Sequence, residues 1–131
     1  MKDLTTLFTA LADPARLRIL NLLFAAGELC VCDIGRVLGF TQTQVSRHMK
    51  YLRNTGIVRA RRHGRWVIYS LKEPVTPERA LVLAGLRRII EQTGAARKDR
   101  ALLDRDIHNG CCVGAALCSV PRRADANIRK G

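Results

Sequence analysis

The sequence has few aromatic residues and no long apolar run. Aromatic side chains account for 5% of its 131 residues, so we expect a core built mainly from aliphatic side chains. The longest apolar runs, such as residues 80–84, fall far short of the ~18 residues that indicate a membrane span. The first residues, Met1 to Thr6, lack the apolar stretch of a secretory signal. We therefore expect a cytoplasmic protein with no membrane partner, too short for a barrel enzyme or a complete dinucleotide-binding fold.

Acidic residues are missing from a long central window. The chain carries a formal net charge of +12, and no Asp or Glu occurs between Ile34 and Lys72. The basic residues of this window are Arg36, Arg47, Lys50, Arg53, Arg59, Arg61, Arg62, Arg65 and Lys72. Such a window can be a solvated basic face with no partner. The motifs inside it favour a polyanion partner instead, because Lys and Arg contacts to phosphates release condensed counterions.

Helix signals and turn residues divide the chain into short elements. Predicted helices cover Leu4–Leu11, with Asp3 as N-cap, then residues 14–26, Cys32–Leu38, Gln42–Asn54, Glu78–Glu91 and Ala96–Ile107. Thr41 and Gln44 form a capping box at the start of the fourth helix, whose buried face is expected to be Val45, Met49 and Leu52. Two strands, Ile57–Arg61 and Arg65–Leu71, are joined by Arg62, His63 and Gly64.

This order of elements predicts a mainly α fold with a small β-hairpin (α+β): a winged helix-turn-helix. The helix that begins at Gln42 is then the helix that enters a DNA major groove, and the hairpin is the wing. The residues expected to contact DNA are Gln42, Thr43, Ser46, Arg47, Lys50, Arg62 and Arg65. Gln and Arg suit base edges, and Thr, Ser and Lys suit phosphates. For His48, Trp66 and Tyr69 we expect packing rather than contact with bases.

The sequence resembles the ArsR–SmtB family of metal-responsive repressors from Leu4 to about Ile90. Four segments carry the resemblance, namely residues 11–20, 27–34, 41–53 and 62–71. The resemblance implies a homodimer joined through its first and last helices, which binds double-stranded operator DNA. It also implies repression of an operon that is relieved when an inducer binds.

Two cysteines lie in the segment Glu-Leu-Cys-Val-Cys-Asp, residues 28–33, which resembles the arsenic- and cadmium-sensing branches of the family. Trivalent arsenic and antimony are thiophilic, so Cys30 and Cys32 are candidate ligands for As(III) or Sb(III). Two cysteines at positions i and i+2 do not converge in a regular helix, so binding should distort the first turn. Many members of the arsenic branch carry a third cysteine three residues further on, where this chain has Gly35.

The remaining three cysteines lie near the C-terminus. Cys111, Cys112 and Cys118 are similar in spacing to the thiols of some arsenic sensors of the family. The sequence leaves open whether these three or Cys30 and Cys32 form the primary inducer site. A cadmium- or lead-responsive repressor and a thiol-based redox-responsive repressor remain alternatives. The resemblance disfavours zinc, because the zinc-sensing branch of the family takes Asp and His ligands from the last helix, and residues 78–91 contain no His.

An enzymatic interpretation is disfavoured. Cys30 and Arg36 have the spacing of a phosphatase or arsenate-reductase loop, in which open backbone N–H groups hold the anion. Here Asp33 would repel that anion. We therefore predict a non-enzymatic protein, with residues 1–94 forming the DNA-binding and dimerisation domain and residues 95–131 forming a helical, cysteine-containing extension with a basic tail.

Overall fold

The computed structural model describes residues 1–108, with side chains to residue 106. Its elements are α1 (Lys2–Leu11), α2 (Pro14–Ala26), β1 (Glu28–Cys30), α3 (Val31–Leu38), α4 (Gln42–Asn54), β2 (Val58–His63), β3 (Trp66–Leu71), α5 (Pro77–Ile90) and α6 (Gly94–His108). The predicted fold class, a mainly α winged helix-turn-helix, is confirmed. The core is mainly aliphatic, as expected from the shortage of aromatic residues.

Different side-chain contacts stabilise the first two helices. Asp13 caps α2, since its side chain accepts hydrogen bonds from the backbone N–H groups of Ala15 and Arg16. Asp3 was expected to cap α1 in the same way, but α1 begins earlier and its N-cap is Met1. The Asp3 carboxylate instead accepts two hydrogen bonds from Arg79 of α5, each 3.1 Å long. The Arg79 guanidinium lowers the pKa of Asp3.

Helices α3 and α4 form the helix-turn-helix. Gly39 ends α3 in the left-handed conformation, with φ of +74°. The predicted capping box starts α4: the N–H of Gln44 donates to Thr41 Oγ1, and the N–H of Thr41 donates to Gln44 Oε1. The predicted buried face of α4 is confirmed, because Val45, Met49 and Leu52 are all fully buried.

The sheet has one more strand than the sequence predicted. Strand β1 pairs antiparallel with β3, which gives the order β1-β3-β2. The strands of the hairpin are also shifted, since β2 ends at His63, two residues beyond its predicted end, and β3 begins at Trp66, one residue after its predicted start. The predicted loop therefore shrinks to a two-residue turn in which Gly64 has a φ of +62°. Arg62 lies on β2 rather than in that loop.

Helix α6 packs back onto the helix-turn-helix. It contacts α2 and α3 and buries Ala96 and Leu103. Arg18 of α2 donates two hydrogen bonds to the Asp99 carboxylate, and the buried Asn21 side chain donates to the Ala96 carbonyl oxygen. The predicted domain boundary at residue 94 thus coincides with the start of a helix that shares the core. The division itself stays a prediction.

Over the part of the chain that the structure describes, every helix is too short or too polar to cross a lipid bilayer.

Candidate nucleic-acid interface and thiol site

One face of α4 is open to solvent. The predicted contact residues Gln42, Thr43, Ser46, Arg47 and Lys50 are all exposed, whereas Val45, Met49 and Leu52 face the core. The wing residues Arg62 and Arg65 are exposed as well. A helix of this kind fits a major groove, and an arginine-rich hairpin beside it can reach the adjacent backbone.

The ion pairs separate the basic residues into two groups. Arg36 and Arg61 belong to the acid-free window of the sequence, but acidic residues outside that window pair with them. Arg61 lies 3.0 Å from Glu28, and Arg36 pairs with Asp33 and Asp106. Within residues 1–106, the four cations Arg47, Lys50, Arg62 and Arg65 form no ion pair. Arg53, Arg59 and Lys72 of the window form none within these residues either, so the ion pairs exclude only Arg36 and Arg61 from the candidate phosphate contacts.

His48 is partly buried beneath this surface. Its pKa is lowered, mainly because burial disfavours the charged imidazolium. Tyr69 belongs to the core, whereas Trp66 is half-buried beside Arg65, whose guanidinium lies 5.8 Å from the centre of the indole ring. The expected packing roles of Tyr69 and Trp66 agree with this burial.

Helix α3 begins at Val31, one residue before the predicted start at Cys32, and Cys30 precedes it. This cysteine is the N-cap residue, with extended backbone, and its Sγ accepts a 3.4 Å hydrogen bond from the N–H of Asp33. The Asp33 carboxylate accepts one from the N–H of Cys30. A thiol thus occupies the capping-box position usually held by Ser or Thr. Cys32 lies in the first turn of α3 and is half-buried.

The surroundings of Cys30 disfavour its thiolate form. Cys30 is 2% exposed, and burial raises its pKa, with the nearby Asp33 carboxylate adding to the effect. Residues 31–36 form a helix rather than an open anion-binding loop, and Arg36 is held by Asp33 and Asp106. This arrangement does not support nucleophilic attack by Cys30 on an oxyanion.

A cleft connects the thiols to the predicted DNA-binding surface. Its volume is about 320 Å³. Three elements contribute its walls: the start of α3, the first turns of α4, and the wing strand β3 with the turn before it. The lining residues are Cys30, Val31, Cys32, Gln42, Ser46, Arg65, Trp66, Val67 and Tyr69. The cleft therefore brings both predicted thiol ligands next to three of the predicted DNA contacts.

Gly35 explains why a third cysteine is absent from α3. A Cβ atom added at Gly35 would lie 2.9 Å from the backbone oxygen of Phe40. That distance is shorter than Cβ contacts allow, and the obstacle is backbone, which closes the turn through hydrogen bonds from Gly39 and Phe40 to the Gly35 carbonyl. Among the described residues, no three His, Cys, Asp or Glu side chains are grouped so as to hold a metal ion.

Cys111, Cys112 and Cys118 lie outside the described residues. Their predicted role as ligands therefore stays a prediction, as does that of Cys30 and Cys32.

Large apolar side chains are exposed on two neighbouring helices. Phe8 of α1 is 54% exposed, and Leu81 and Ile89 of α5 are 74% and 65% exposed. Helices α1 and α5 pack against each other. Exposed apolar side chains on packed helices are typical of a protein–protein contact where they adjoin.

The sequence did not predict the chain of contacts that runs from Cys30 through Asp33 and Arg36 to Asp106. Arg36 donates 2.7 Å hydrogen bonds to both carboxylates. The ion pair between Asp33 and Arg36 could have been predicted, because the two residues are three apart in a helix. The link to Asp106, which is 70 residues further on, had no local signal.

A helix-turn-helix followed by a basic wing defines a class of DNA-binding proteins. Residues 13–60 match the model of the arsR family of bacterial regulatory proteins. The chain belongs to this family. The family and the fold are those of DNA-binding transcriptional regulators and not of enzymes.

Two curated relatives differ in the metal that their names give. The arsenic resistance transcriptional regulator ArsR1 of Pseudomonas putida is 41% identical over 81 residues, 60% of this chain and 62% of the relative. A homologue of the cadmium resistance regulatory protein CadC from Staphylococcus aureus is 38% identical over 71 residues, 54% of this chain and 59% of the relative. The matched segment thus spans about three fifths of each relative.

Solved structures share the fold over more of their length. HlyU from Vibrio cholerae has a TM-score of 0.60 at 30% identity, covering 70% of this chain and 95% of that one. The homodimeric winged helix-turn-helix domain of Mb0332 from Mycobacterium bovis has a TM-score of 0.58 at 28% identity, covering 70% and 81%.

Proposed function

We propose that this chain is a cytoplasmic transcriptional repressor of an arsenic-resistance operon. As a homodimer it binds double-stranded operator DNA, and As(III) or Sb(III) bound to cysteine thiolates releases it. The observation that carries this proposal is the cleft in which Cys30 and Cys32 meet Gln42, Ser46 and Arg65. An inducer bound there is next to the DNA contacts and can favour the DNA-free state.

The DNA contacts assigned to this function are Gln42, Thr43, Ser46, Arg47 and Lys50 on α4, and the two wing arginines. Their exposure and the absence of ion pairs at the four cations support the assignment. The exposed apolar residues of α1 and α5 support a two-fold dimer, which would present two copies of α4 to a palindromic site.

The inducer is assigned to Cys30 and Cys32 as the primary site, with Cys111, Cys112 and Cys118 as a second set. Ligation of Cys30 replaces the sulfur's role as helix cap, so it perturbs the first turn of α3. That turn is joined to α4 by packing and to the wing by the pairing of β1 with β3.

A cadmium-responsive repressor is the second candidate, favoured by the relative named for cadmium resistance. Within the described residues, however, Cys30 and Cys32 supply two thiols without a third grouped donor. Soft divalent cations commonly take four ligands in proteins.

The test is a mobility-shift assay of the protein on the DNA upstream of its own gene. The complex is titrated with arsenite, antimonite, cadmium, zinc and peroxide. We expect arsenite and antimonite to release the DNA at concentrations at least tenfold below the others. Release by peroxide alone would assign the protein to redox sensing, and release by cadmium alone to the second candidate. Failure to bind a specific duplex would refute the proposal altogether.

A further inference from the structure

We propose that Arg36 and Asp106 are positioning residues for the thiol site. Helix α6 docks on α3 through this pair, and the docked helix keeps the cap at Cys30 closed, which limits access to the Cys30 thiol. The expected effect on inducer release rests on the proposed function, whereas the effect on the thiol itself does not depend on it.

The cap at Cys30 depends on the position of a buried carboxylate. Asp33 is 0% exposed. Its Oδ2 accepts a 3.3 Å hydrogen bond from the N–H of Cys30, and its own N–H donates to Cys30 Sγ at 3.4 Å. Both contacts of the cap therefore involve Asp33. An ionised carboxylate in such a place is costly to the fold unless a cation and hydrogen-bond donors accompany it.

Arg36 provides that cation, and Asp106 orients it. Arg36 Nη2 donates to Asp33 Oδ1 at 2.7 Å. Arg36 Nε and Nη2 also donate to the two carboxylate oxygens of Asp106, at 2.7 and 2.9 Å. A two-point contact of this kind fixes the plane of the guanidinium group. The Arg36 side chain is 40% exposed, so without Asp106 it is free to turn towards water and away from Asp33.

Helix α6 thus contributes to the thiol site although it lies beyond residues 13–60, which match the family model. A second ion pair, between Arg18 of α2 and Asp99, also holds α6. Asp99 accepts two hydrogen bonds from Arg18, as Asp106 does from Arg36. The chain therefore offers two similar ion pairs on one helix, of which the pair at Asp106 leads to the cap of Cys30.

The test measures access to the Cys30 thiol in protein without DNA or inducer. The full chain is used with four cysteines changed to Ser, namely Cys32, Cys111, Cys112 and Cys118, so that Cys30 is the single thiol. Iodoacetamide is added at constant pH, and mass spectrometry follows alkylation. The rate for a buried thiol reports how often its surroundings open.

We expect Asp106→Ala to raise the alkylation rate at least about fivefold, because the cap opens more often. Asp99→Ala is the matched control. It removes a similar carboxylate from the same helix and should change the rate less than about twofold. Asp106→Glu restores the carboxylate and should keep the rate within about threefold of the parent protein.

A double variant tests whether Arg36 connects Asp106 to the cap. Arg36→Met should raise the rate at least as much as Asp106→Ala does. Adding Asp106→Ala to Arg36→Met should then change the rate less than about twofold, because residues that act through one contact are not additive. Arg36→Lys, which keeps the charge but not the two-point contact, serves if Arg36→Met fails to fold by circular dichroism.

The consequence for release is measured with all five cysteines present. Asp106→Ala should leave DNA at an arsenite concentration at least about threefold below that needed for Asp99→Ala, since less of the binding energy is spent on opening the cap. Three results would overturn the inference: equal alkylation rates for these two variants, additive effects in the double variant, or equal arsenite concentrations for half-release. Failure of the proposed function is distinguishable, because arsenite would then not release the unaltered chain while the alkylation rates still differed.

Discussion

A sulfur atom in place of a hydroxyl oxygen sets the character of the thiol site. Sulfur accepts hydrogen bonds weakly, so the 3.4 Å contact between Cys30 Sγ and the Asp33 N–H makes a poorer cap than Ser or Thr would. The chain therefore keeps a soft ligand at a place where a better helix cap was available. A soft ligand at this position agrees with the role in binding arsenic that we propose for Cys30.

Replacing either thiol tests this directly. Cys30→Ser keeps the size of the side chain and restores a hydroxyl cap, so we expect DNA affinity to be unchanged and the arsenite concentration for half-release to rise at least tenfold. Cys32→Ser should behave in the same way. Truncation after Asn109 should lower arsenite stoichiometry without abolishing release. Mobility-shift titrations would contradict this ranking of the two cysteine sets if the truncated protein stayed on DNA while both Ser variants still left it.

Arg47 is the best candidate for a base contact. It is exposed on α4 and forms no ion pair with the described residues. If it reads a base, Arg47→Ala should weaken specific binding by roughly 1–3 kcal/mol and relax the preference at one position of each half-site. Arg97→Ala, which removes the same charge from the exposed surface of α6, is the control. Equal operator affinity of the two variants in fluorescence anisotropy would exclude Arg47 from the interface.

At the scale of the elements, the wing acts as a charged arm. Arg62 lies on β2 and Arg65 in the turn, and both are exposed. Each phosphate contact contributes about 0.9 to the slope of log affinity against log salt concentration. The double variant Arg62→Ala, Arg65→Ala should therefore flatten that slope by up to about 1.8 per protomer, or about 3.6 for a dimer with two wings, and weaken binding to specific and nonspecific DNA alike. An unaltered slope, matched to that of an Arg97→Ala, Lys98→Ala control, would place the wing away from the DNA.

Sequence patterns within a few residues predicted most of the helices and strands. The others depend on contacts between residues far apart in the chain. The Thr41–Gln44 box and the apolar spacing of α4 lie within a few residues of each other, so the sequence alone located that helix correctly. Strand β1 has three residues and forms only because β3, about 40 residues further on, pairs with it. The start of α3 was misplaced by one residue because Cys is not a usual cap.

The candidate site likewise combines features that local sequence predicts with features that depend on the fold. The two thiols and the exposed face of α4 could be predicted from residue type and helical spacing. The cleft between them could not, since it depends on how β3 lies against the starts of α3 and α4. The closure of the Gly35 position likewise depends on the path of the backbone at Phe40.

At the scale of the whole molecule, α6 completes the core of the helix-turn-helix. Truncation after Thr93 would uncover the positions that Ala96 and Leu103 fill, and would leave the buried Asn21 side chain without its partners on α6. Lost burial of a leucine contributes about 2–3 kcal/mol, and loss of the two hydrogen bonds between Asn21 and α6 about 1–3 kcal/mol together. We expect a loss of at least about 3 kcal/mol in the free energy of unfolding.

Urea unfolding measures that loss. Truncation after Asn109 is the control, because it keeps all of α6 and the ion pairs of Arg18 and Arg36 with it. Both variants are compared at one protein concentration, since the stability of a dimer depends on it. Equal midpoints for the two truncations would show that α6 adds nothing to the fold.

Because β1 pairs with β3 along residues 28–30, and β3 pairs with β2 over its whole length, the thiol strand and the wing open to solvent as one unit. Backbone amides in such a unit exchange their hydrogens together. Deuterium uptake by DNA-free protein should therefore change in residues 58–71 as well as in residues 28–36 when arsenite binds. The hairpin that we propose as a DNA contact would then respond to arsenite binding in the absence of DNA.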